Sequence, residues 1–317
     1  MRKSILITGV GGDIGQSILK CLKGIECEVT LFGCDVDNFA AGRNAVDLFF
    51  QAPHASDSKN YFEFVKNIME KESISCIIPT TEIEIEFYNE RREFFGKKTT
   101  VLINKSALIK MFFDKYETFL FLKNNDLPHP KTFLIDQFQS EMPFPVLLKQ
   151  RRGWGAKGVL RIENNEELSF YKKRMKDAFV QEIVGGPDEE YTMGVFSTGR
   201  ETYSIGFKRY LGYGSLTKYA QLVQDGELTA LAQKIAKASS LEGSINVQLR
   251  KGKNGYVPFE INPRFSSTVY VRHCFGFKDV KWWIDLKEGR VIEYVPTCTS
   301  GVAVRTIGET FFDLETV

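Results

Sequence analysis

Over roughly its first hundred residues the chain alternates short β-rich runs with helical patterns, and alternation of that kind builds a parallel sheet with helices packed on it. The runs are SILITGV, EVTLFGCD, DLFFQAP, SCIIPT and TVLIN. Between them lie segments such as NYFEFVKNIMEKE, in which Phe62, Val65 and Met69 fall on one helical stripe. Thr81 with Glu84 makes a capping box that predicts a helix running to about Phe95, so Glu82, Glu84 and Glu86 read as solvated helix surface rather than a metal site. From Asn104 one long helix, SALIKMFFDKYETFLFLKNN, is expected to end before DLPHPKTF, where prolines break regular structure. The rhythm then changes. FPVLLKQ, GVLRIEN, FVQEIV, EYTMGVFS and ETYSIGFKRYL are strands with hairpin-like separations and one evident helix among them, EELSFYKKRMK. This half reads as α+β with mostly antiparallel pairing.

At 317 residues the chain has room for two domains, or for one domain with a mobile lobe. Lys plus Arg number 42 against 40 Asp plus Glu, with no long basic run, which argues against nucleic acid or an anionic membrane as partner. The start, MRKSILITGVGG, is broken at once by glycines and Asp13, which suits a buried strand better than a signal peptide, and no apolar run is long enough to span a bilayer. A cytoplasmic protein is expected. The six cysteines form no C-x-x-C pair and the three histidines lie far apart, so neither zinc nor a disulfide framework is indicated and the cysteines are expected as buried thiols.

Two glycine-rich stretches carry different meanings. Gly9, Gly12 and Gly15 in TGVGGDIG follow a strand and open a helix, with Asp35 ending the next strand, which is the setting of a dinucleotide-binding turn. Against an oxidoreductase, none of the twelve tyrosines has a lysine four residues on, and a tight packing turn is the competing reading. The second stretch runs from Lys149 to Gly158 between two apolar strands and is not a Walker loop. Gly153, Gly155 and Gly158 let backbone N–H groups approach an anion, Lys149 reaches in as a point charge, and Arg151, Arg152 and Lys157 add charge.

SINVQLRKGKNGYVPFEINPR reads as a hairpin turning at Lys253, Asn254 and Gly255. Ile245, Val247 and Leu249 form one face and Asn246, Gln248 and Arg250 the other, while Val257, Phe259 and Ile261 alternate with Glu260, Asn262 and Arg264. Gln248 faces Glu260 only if an odd number of residues separates the strands; an even loop puts it opposite Ile261. In the first case Gln248, Glu260 and Asn262 gather oxygen ligands beside Arg264. One carboxylate and two amides suit Mg²⁺ that arrives on a nucleotide, whose phosphates bring the remaining charge.

Together these segments resemble the ATP-grasp superfamily, in particular single-module relatives of the carbamoyl-phosphate synthase large subunit and the carboxylate-amine ligases. TGVGGDIG resembles the Rossmann-like domain that precedes ATP-grasp, PFPVLLKQRRGWGAKGV the lysine strand and flap, FVQEIVGGPDEEYT the adenine hinge, and NVQ with FEINPRFSST the metal strands. The chain departs from the family pattern at Gln150, where proline is usual, and at Trp154 in the flap. The resemblance implies a mixed α/β plus α+β chain with the ATP-grasp fold, a pre-ATP-grasp domain over residues 1–104 and an ATP-grasp domain over 105–317 whose small lid lobe spans about 131–184. It implies ATP and Mg²⁺ as cofactors. Lys115 and Lys149 would bind phosphates under Gly153, Gly155, Lys157 and Gly158; Glu182, Ile183 and Val184 would cradle adenine and Glu190 the ribose; Gln248, Glu260 and Asn262 would hold Mg²⁺, with Arg264 at the reacting phosphate.

The reaction implied is phosphorylation of a small carboxylate by ATP, followed by attack of an amine on the acyl phosphate to give an amide, a chemistry that relies on placement and charge rather than on a protein nucleophile. A homodimer is the family expectation. The alternatives are a nicotinamide-dependent oxidoreductase or epimerase built on the first glycine turn, and a non-catalytic ATP-binding protein. Lys208, Arg209, Lys218, Arg272 and His273 are undecided between acceptor contacts and ordinary surface or core positions, and Phe275, Trp282 and Trp283 are expected in the core.

Overall fold

Apolar runs with flanking turns set the first sheet. In the computed structural model, which describes residues 3–23, 29–153, 158–186, 188–212, 216–306 and 308–313, β1 (Lys3–Thr8) leads through a glycine turn into α1 (Asp13–Lys23). β2 (Val29–Asp35), β3 (Leu48–Gln51), α2 (Ser58–Lys71), β4 (Cys76–Ile78), α3 (Glu82–Glu90), α4 (Arg92–Phe95) and β5 (Thr100–Val101) follow. The strands pair in parallel in the order β3-β2-β1-β4-β5, with Ile5, Leu6 and Ile7 fully buried at the centre. In this order the chain steps outward from β1 to β2 and β3 on one side and then to β4 and β5 on the other, and each parallel pair needs a crossover connection.

Two helices depart from the sequence expectation. The helix expected from Thr81 to Phe95 stops at Glu90, because Arg91 leaves the helical region and its guanidinium lies over the Phe87 ring, 4.3 Å from its centre. The capping box itself is present, and it draws Glu84 inward, where its carboxylate accepts from Thr81 Oγ1 (2.7 Å) and from the buried Tyr61 hydroxyl (3.0 Å). Glu84 is therefore buried rather than solvated, and burial raises its pKa against the pull of those hydrogen bonds. The long helix from Asn104 is two helices, α5 (Ser106–Phe112) and α6 (Lys115–Asn124). Asp114 divides them by accepting from the backbone N–H groups of Tyr116 and Glu117, and capping of this kind competes with helix continuation.

The remaining chain forms two antiparallel sheets. β6 (Thr132–Leu134), β7 (Val146–Gln150), β8 (Val159–Ile162) and β9 (Ala178–Glu182), with α7 (Asn165–Lys172), make a four-stranded sheet in the order β6-β9-β7-β8. β10 (Glu190–Thr198), β11 (Thr202–Leu211), β12 (Thr217–Val223), α8 (Gly226–Ala238), β13 (Glu242–Gly252), β14 (Gly255–Asn262), α9 (Val269–Cys274), α10 (Asp279–Lys287) and β15 (Val302–Val304) complete the order. Their sheet runs β14-β13-β10-β11-β12-β15. α8 covers one face, with Leu228, Leu231 and Ile235 against Met193, Val195 and Val247. On the other face α1 packs on α9 and α10, so one apolar core joins Ile5, Ile7 and Ile18 to Phe196, Phe207 and Trp283 and fixes the first sheet against the six-stranded one.

Phe275, Trp282 and Trp283 lie in that core, as expected. Cys21, Cys34 and Cys76 are buried thiols, whereas Cys274 and Cys298 are exposed; Cys27 lies outside the described residues. Among the described residues no helix is long and apolar enough to cross a membrane.

Candidate active site

Alternation on the six-stranded sheet separates an apolar face from a polar one. Tyr191, Met193 and Val195 join Ile245, Val247 and Leu249 in the core beneath α8. On the opposite face the register sets up cross-strand rows: Arg250 beside Glu190, Gln248 between Thr192 and Glu260, and Asn246 between Gly194 and Asn262. The pairing of Tyr191 with Lys208 brings Arg209 to the other side of Glu190.

The β13–β14 register meets the sequence condition by an unexpected route. Gly252 pairs with Gly255, leaving the even, two-residue turn Lys253–Asn254 that would misplace Gln248. A bulge corrects it. Leu249 faces Pro258 but Gln248 faces Glu260, so Phe259 is the extra residue. Pro258 has no N–H to give a ladder, and edge strands with bulges are where proline is tolerated. Phe259 consequently leaves the apolar face assigned to it, while Tyr256, Pro258 and Ile261 are buried. Its ring lines the cavity, 5.0 Å from Lys149 Nζ.

That cavity, about 800 Å³, lies between the two antiparallel sheets and reaches the first sheet at Asp13, His54 and Thr80–Ile83. From the four-stranded sheet come Leu147, Lys149 and Gln181, with Leu147 and Gln181 opposite each other in the β7–β9 register. Lys149 is 8% exposed, and its Nζ donates to Gln181 Oε1 at 2.7 Å. Burial holds its pKa down at about 8, partly offset by Glu260. Lys115, at the start of α6, donates to the Gly153 carbonyl at 2.6 Å. Opposite them, Glu260 Oε1 accepts from Asn262 Nδ2 at 3.0 Å and from Gln248 Nε2 at 3.4 Å. Burial alone would raise the Glu260 pKa, but Lys115, the Asn262 hydrogen bond, Lys149 and Arg264 together outweigh it and hold the carboxyl below its ordinary range.

Of the residues marked from sequence, Lys115, Lys149, Gly153, Glu182, Val184, Glu190, Gln248, Glu260, Asn262 and Arg264 line this one cavity. Ile183 and Gly158 are not in its lining, and Gly155 and Lys157 lie outside the described residues. Gly153 and Gly158 adopt φ of 142° and 78°, so both positions demand glycine whatever the loop does. The Glu182 carboxylate accepts from Lys131 N (2.7 Å), and Glu190 is held by Arg209 at one oxygen and by Arg250 at the other (3.0 Å). Oxygen donors suited to a hard cation are present in Glu260 and Asn262, and a phosphate chain would complete them.

Several participants escaped the sequence reading. Glu82 is not solvated surface but meets Arg264 Nη2 at 3.3 Å across the cavity. Arg209, undecided between an acceptor contact and an ordinary position from sequence, is a largely covered part of the site, set beside Glu190 by the hairpin FSTGRETY with its four residues between the paired Ser197 and Thr202. Lys208 pairs instead with Glu189, Lys218 is exposed, and His273 is half-buried away from the lining. Arg272 is buried and bonded to Asp279 through two nitrogens and to Ser266 Oγ through the third. It passes behind Gly194, where an added Cβ would sit 2.9 Å from its Cδ. Asn104 donates to the carbonyls of Ser244 and Pro263, so with Arg272 on Ser266 both ends of the segment bearing Arg264 are pinned.

The first glycine turn is spent on packing. Gly11 N donates to Asp35 Oδ2 at 2.8 Å, which consumes both a backbone N–H and the acid that a dinucleotide would need. A Cβ on Gly15 would fall 2.3 Å from the Gly9 carbonyl. The small cavity beside the turn, about 220 Å³, is lined by Asp13, Asp35 and Glu84 with no Lys or Arg among its described residues, a poor setting for a pyrophosphate.

Two segments of the chain match known families. Residues 174–310 match the family model "ATP-grasp in the biosynthetic pathway with Ter operon", and residues 5–103 match "PylC-like, N-terminal domain". The carbamoyl phosphate synthase large chain of Clostridium botulinum (strain Alaska E43 / Type E3) is 25% identical over 306 residues, covering 87% of this chain. The chain spans only 28% of that relative's length. Among solved structures, N5-carboxyaminoimidazole synthetase from Staphylococcus aureus complexed with ADP superposes with a TM-score of 0.76 at 15% identity, covering 96% of this chain and 82% of that one. The biotin carboxylase domain dimer of Hydrogenobacter thermophilus 2-oxoglutarate carboxylase, in complex with MgADP, ADP and bicarbonate, gives 0.74 at 16%, covering 92% and 71%. At these identities the two structures speak to the fold alone. From the two matched segments and the sheets that carry them, the chain belongs to the ATP-grasp family of ATP-dependent ligases and has a PylC-like N-terminal domain.

Proposed function

We propose that this chain phosphorylates a small carboxylate with ATP and couples the resulting acyl group to an amine, forming an amide, ADP and phosphate. The observation that carries the reading is the convergence of Lys149, Lys115 and Arg264 on Glu260 and Asn262 inside one cavity between two sheets. Adenine would lie near the hinge at Glu182 and Val184, against Leu147 and Phe259, with the ribose toward Glu190. Lys149 and Lys115 would neutralise the phosphate chain, and Lys149 is poised for it because an incoming anion restores the charge that burial disfavours. Glu260 and Asn262, with Gln248 beside them, would hold Mg²⁺, which when bound screens phosphate charge and orients the transferred group. Arg264 would face the reacting phosphoryl oxygens, kept in place by Glu82 and by the pinned segment behind it.

The carboxylate oxygen attacks the terminal phosphorus, the bond to the bridging oxygen breaks, and ADP leaves. The amine then attacks the acyl carbon, phosphate departs, and the amine proton passes to solvent. Residues 1–104 and 105–317 would act as two domains, with the lobe over about 131–184 as the wall that opens for exchange. A homodimer accords with this reading, the biotin carboxylase domain being a dimer.

Hydroxylamine tests it. With ATP, Mg²⁺ and a panel of carboxylic acids, hydroxylamine replaces the amine, and the expected result is acid-dependent ADP together with a hydroxamate. ADP formation that no acid stimulates, or Mg-ATP binding without turnover across the panel, would contradict the proposal and leave the non-catalytic reading.

A further inference from the structure

Arg209, undecided from sequence, lines the cavity. Its side chain is 10% exposed and its Nη2 is shared between Glu190 and Gln248 Oε1, the latter at 2.8 Å. Among the described residues its Nε is buried with no hydrogen-bond partner, although Arg209 lines the cavity. A buried guanidinium N–H left unpaired is costly, so its retention beside an open cavity calls for an acceptor from outside the chain. Charge points the same way. Glu190 is already shared with Arg250, so two guanidinium groups face one carboxylate, and no second carboxylate pairs with either among the described residues.

We propose that Arg209 contacts the phosphate chain of the bound nucleotide as a fixed cation, between the ribose-side Glu190 and the metal-side Gln248. It rests on the reading of the cavity as a nucleotide site. One consequence concerns Gln248. With its amide oxygen held by Arg209 and its amide nitrogen turned to Glu260, Gln248 orients its neighbours, and a divalent cation is left to the Glu260 and Asn262 end, away from the guanidinium. Nucleotide binding then depends less on metal than a site built only of carboxylates would require, because part of the neutralising charge is covalently present.

Calorimetric titration of ADP into the full chain, once in EDTA and once in Mg²⁺, tests the assignment without using turnover. The unaltered chain is expected to bind ADP in EDTA. Arg209→Gln should weaken that metal-free binding about tenfold, the worth of one charge-assisted hydrogen bond, and weaken binding in Mg²⁺ by only about threefold. Arg209→Lys, a milder change that keeps the charge but loses the fork, should fall about threefold in EDTA alone. It carries the test should the glutamine variant not fold. Equal losses with and without Mg²⁺ would mean that Arg209 only buttresses Glu190, and unchanged affinity in both variants would remove it from the nucleotide; either outcome overturns the assignment while leaving the nucleotide site intact. An unaltered chain that bound ADP only with Mg²⁺ would also overturn it. No ADP binding under either condition would overturn the nucleotide reading as well.

Discussion

The two glycine-rich stretches have similar composition and opposite uses. In the first, from Gly9 to Gly15, glycine removes bulk so that a strand, a helix and Thr80 can close on one another, and Asp35 takes the N–H of Gly11. In the second, from Lys149 to Gly158, the glycines at 153 and 158 adopt positive φ, Gly153 lines the cavity, and the flanking Lys149 points inward with its pKa lowered by burial. Glycine spacing alone cannot tell these apart. What separates them is the fate of the neighbouring charge: the cavity beside the first stretch is lined by Asp13, Asp35 and Glu84 with no Lys or Arg among its described residues, whereas Lys115, Lys149 and Arg264 line the cavity at the second and hold the Glu260 carboxyl below its ordinary range.

Substitutions can break this contrast in a graded way. Lys149→Met should lower ATP-dependent ADP formation at least about a hundredfold, as expected when a charge-stabilising group is removed from a reacting centre. Its urea midpoint should hold or rise. Lys149 binds its proton less readily folded than unfolded, so below a pH of about 8 its burial is a full cost that Met does not carry; for the unaltered chain that cost eases as pH climbs from about 8 toward 10.5. Gly15→Ala is the mirror image. The contact at 2.3 Å forces helix and turn apart and should cost about 1–3 kcal/mol in urea unfolding, with ADP affinity per folded molecule unchanged.

A pH series gives the next largest effect. If the charged form of Lys149 holds phosphate, ATP affinity should fall as pH rises through about 8, by about tenfold between pH values of roughly 7 and 9, and Lys149→Arg should flatten that dependence. The smallest change belongs to Gly12→Ala, where the added methyl meets only the Gly9 carbonyl at 3.5 Å. Urea unfolding should move by no more than about 0.5 kcal/mol.

Much of this arrangement could be read from residue order. The parallel sheet follows from apolar runs that fill both faces of β1, and the polar rows of the site follow from the alternation of Asn246, Gln248 and Arg250 with Ile245, Val247 and Leu249 on β13. The Asp114 cap, with Glu117 three residues on, is also a helix-start signal, masked by the apolar pattern that continues through it. Other features have no local signal. The Phe259 bulge depends on β14 being an edge strand, which is a property of the sheet and not of the segment. Arg209 looks like any charged strand residue until the β10–β11 register brings Glu190 alongside; Glu82 looks solvated until the first sheet docks against the second and leaves it facing Arg264, and Glu84 until the packing of α2 on α3 buries it against Tyr61.

The central claim is that the cavity between the antiparallel sheets, and not the first glycine turn, receives the nucleotide. Calorimetry of Mg-ATP and of NADH with the unaltered chain and with Glu260→Gln tests it most directly. The account predicts saturable Mg-ATP binding that the substitution weakens and no heat from NADH; binding of NADH, or Mg-ATP binding indifferent to Glu260, would contradict it.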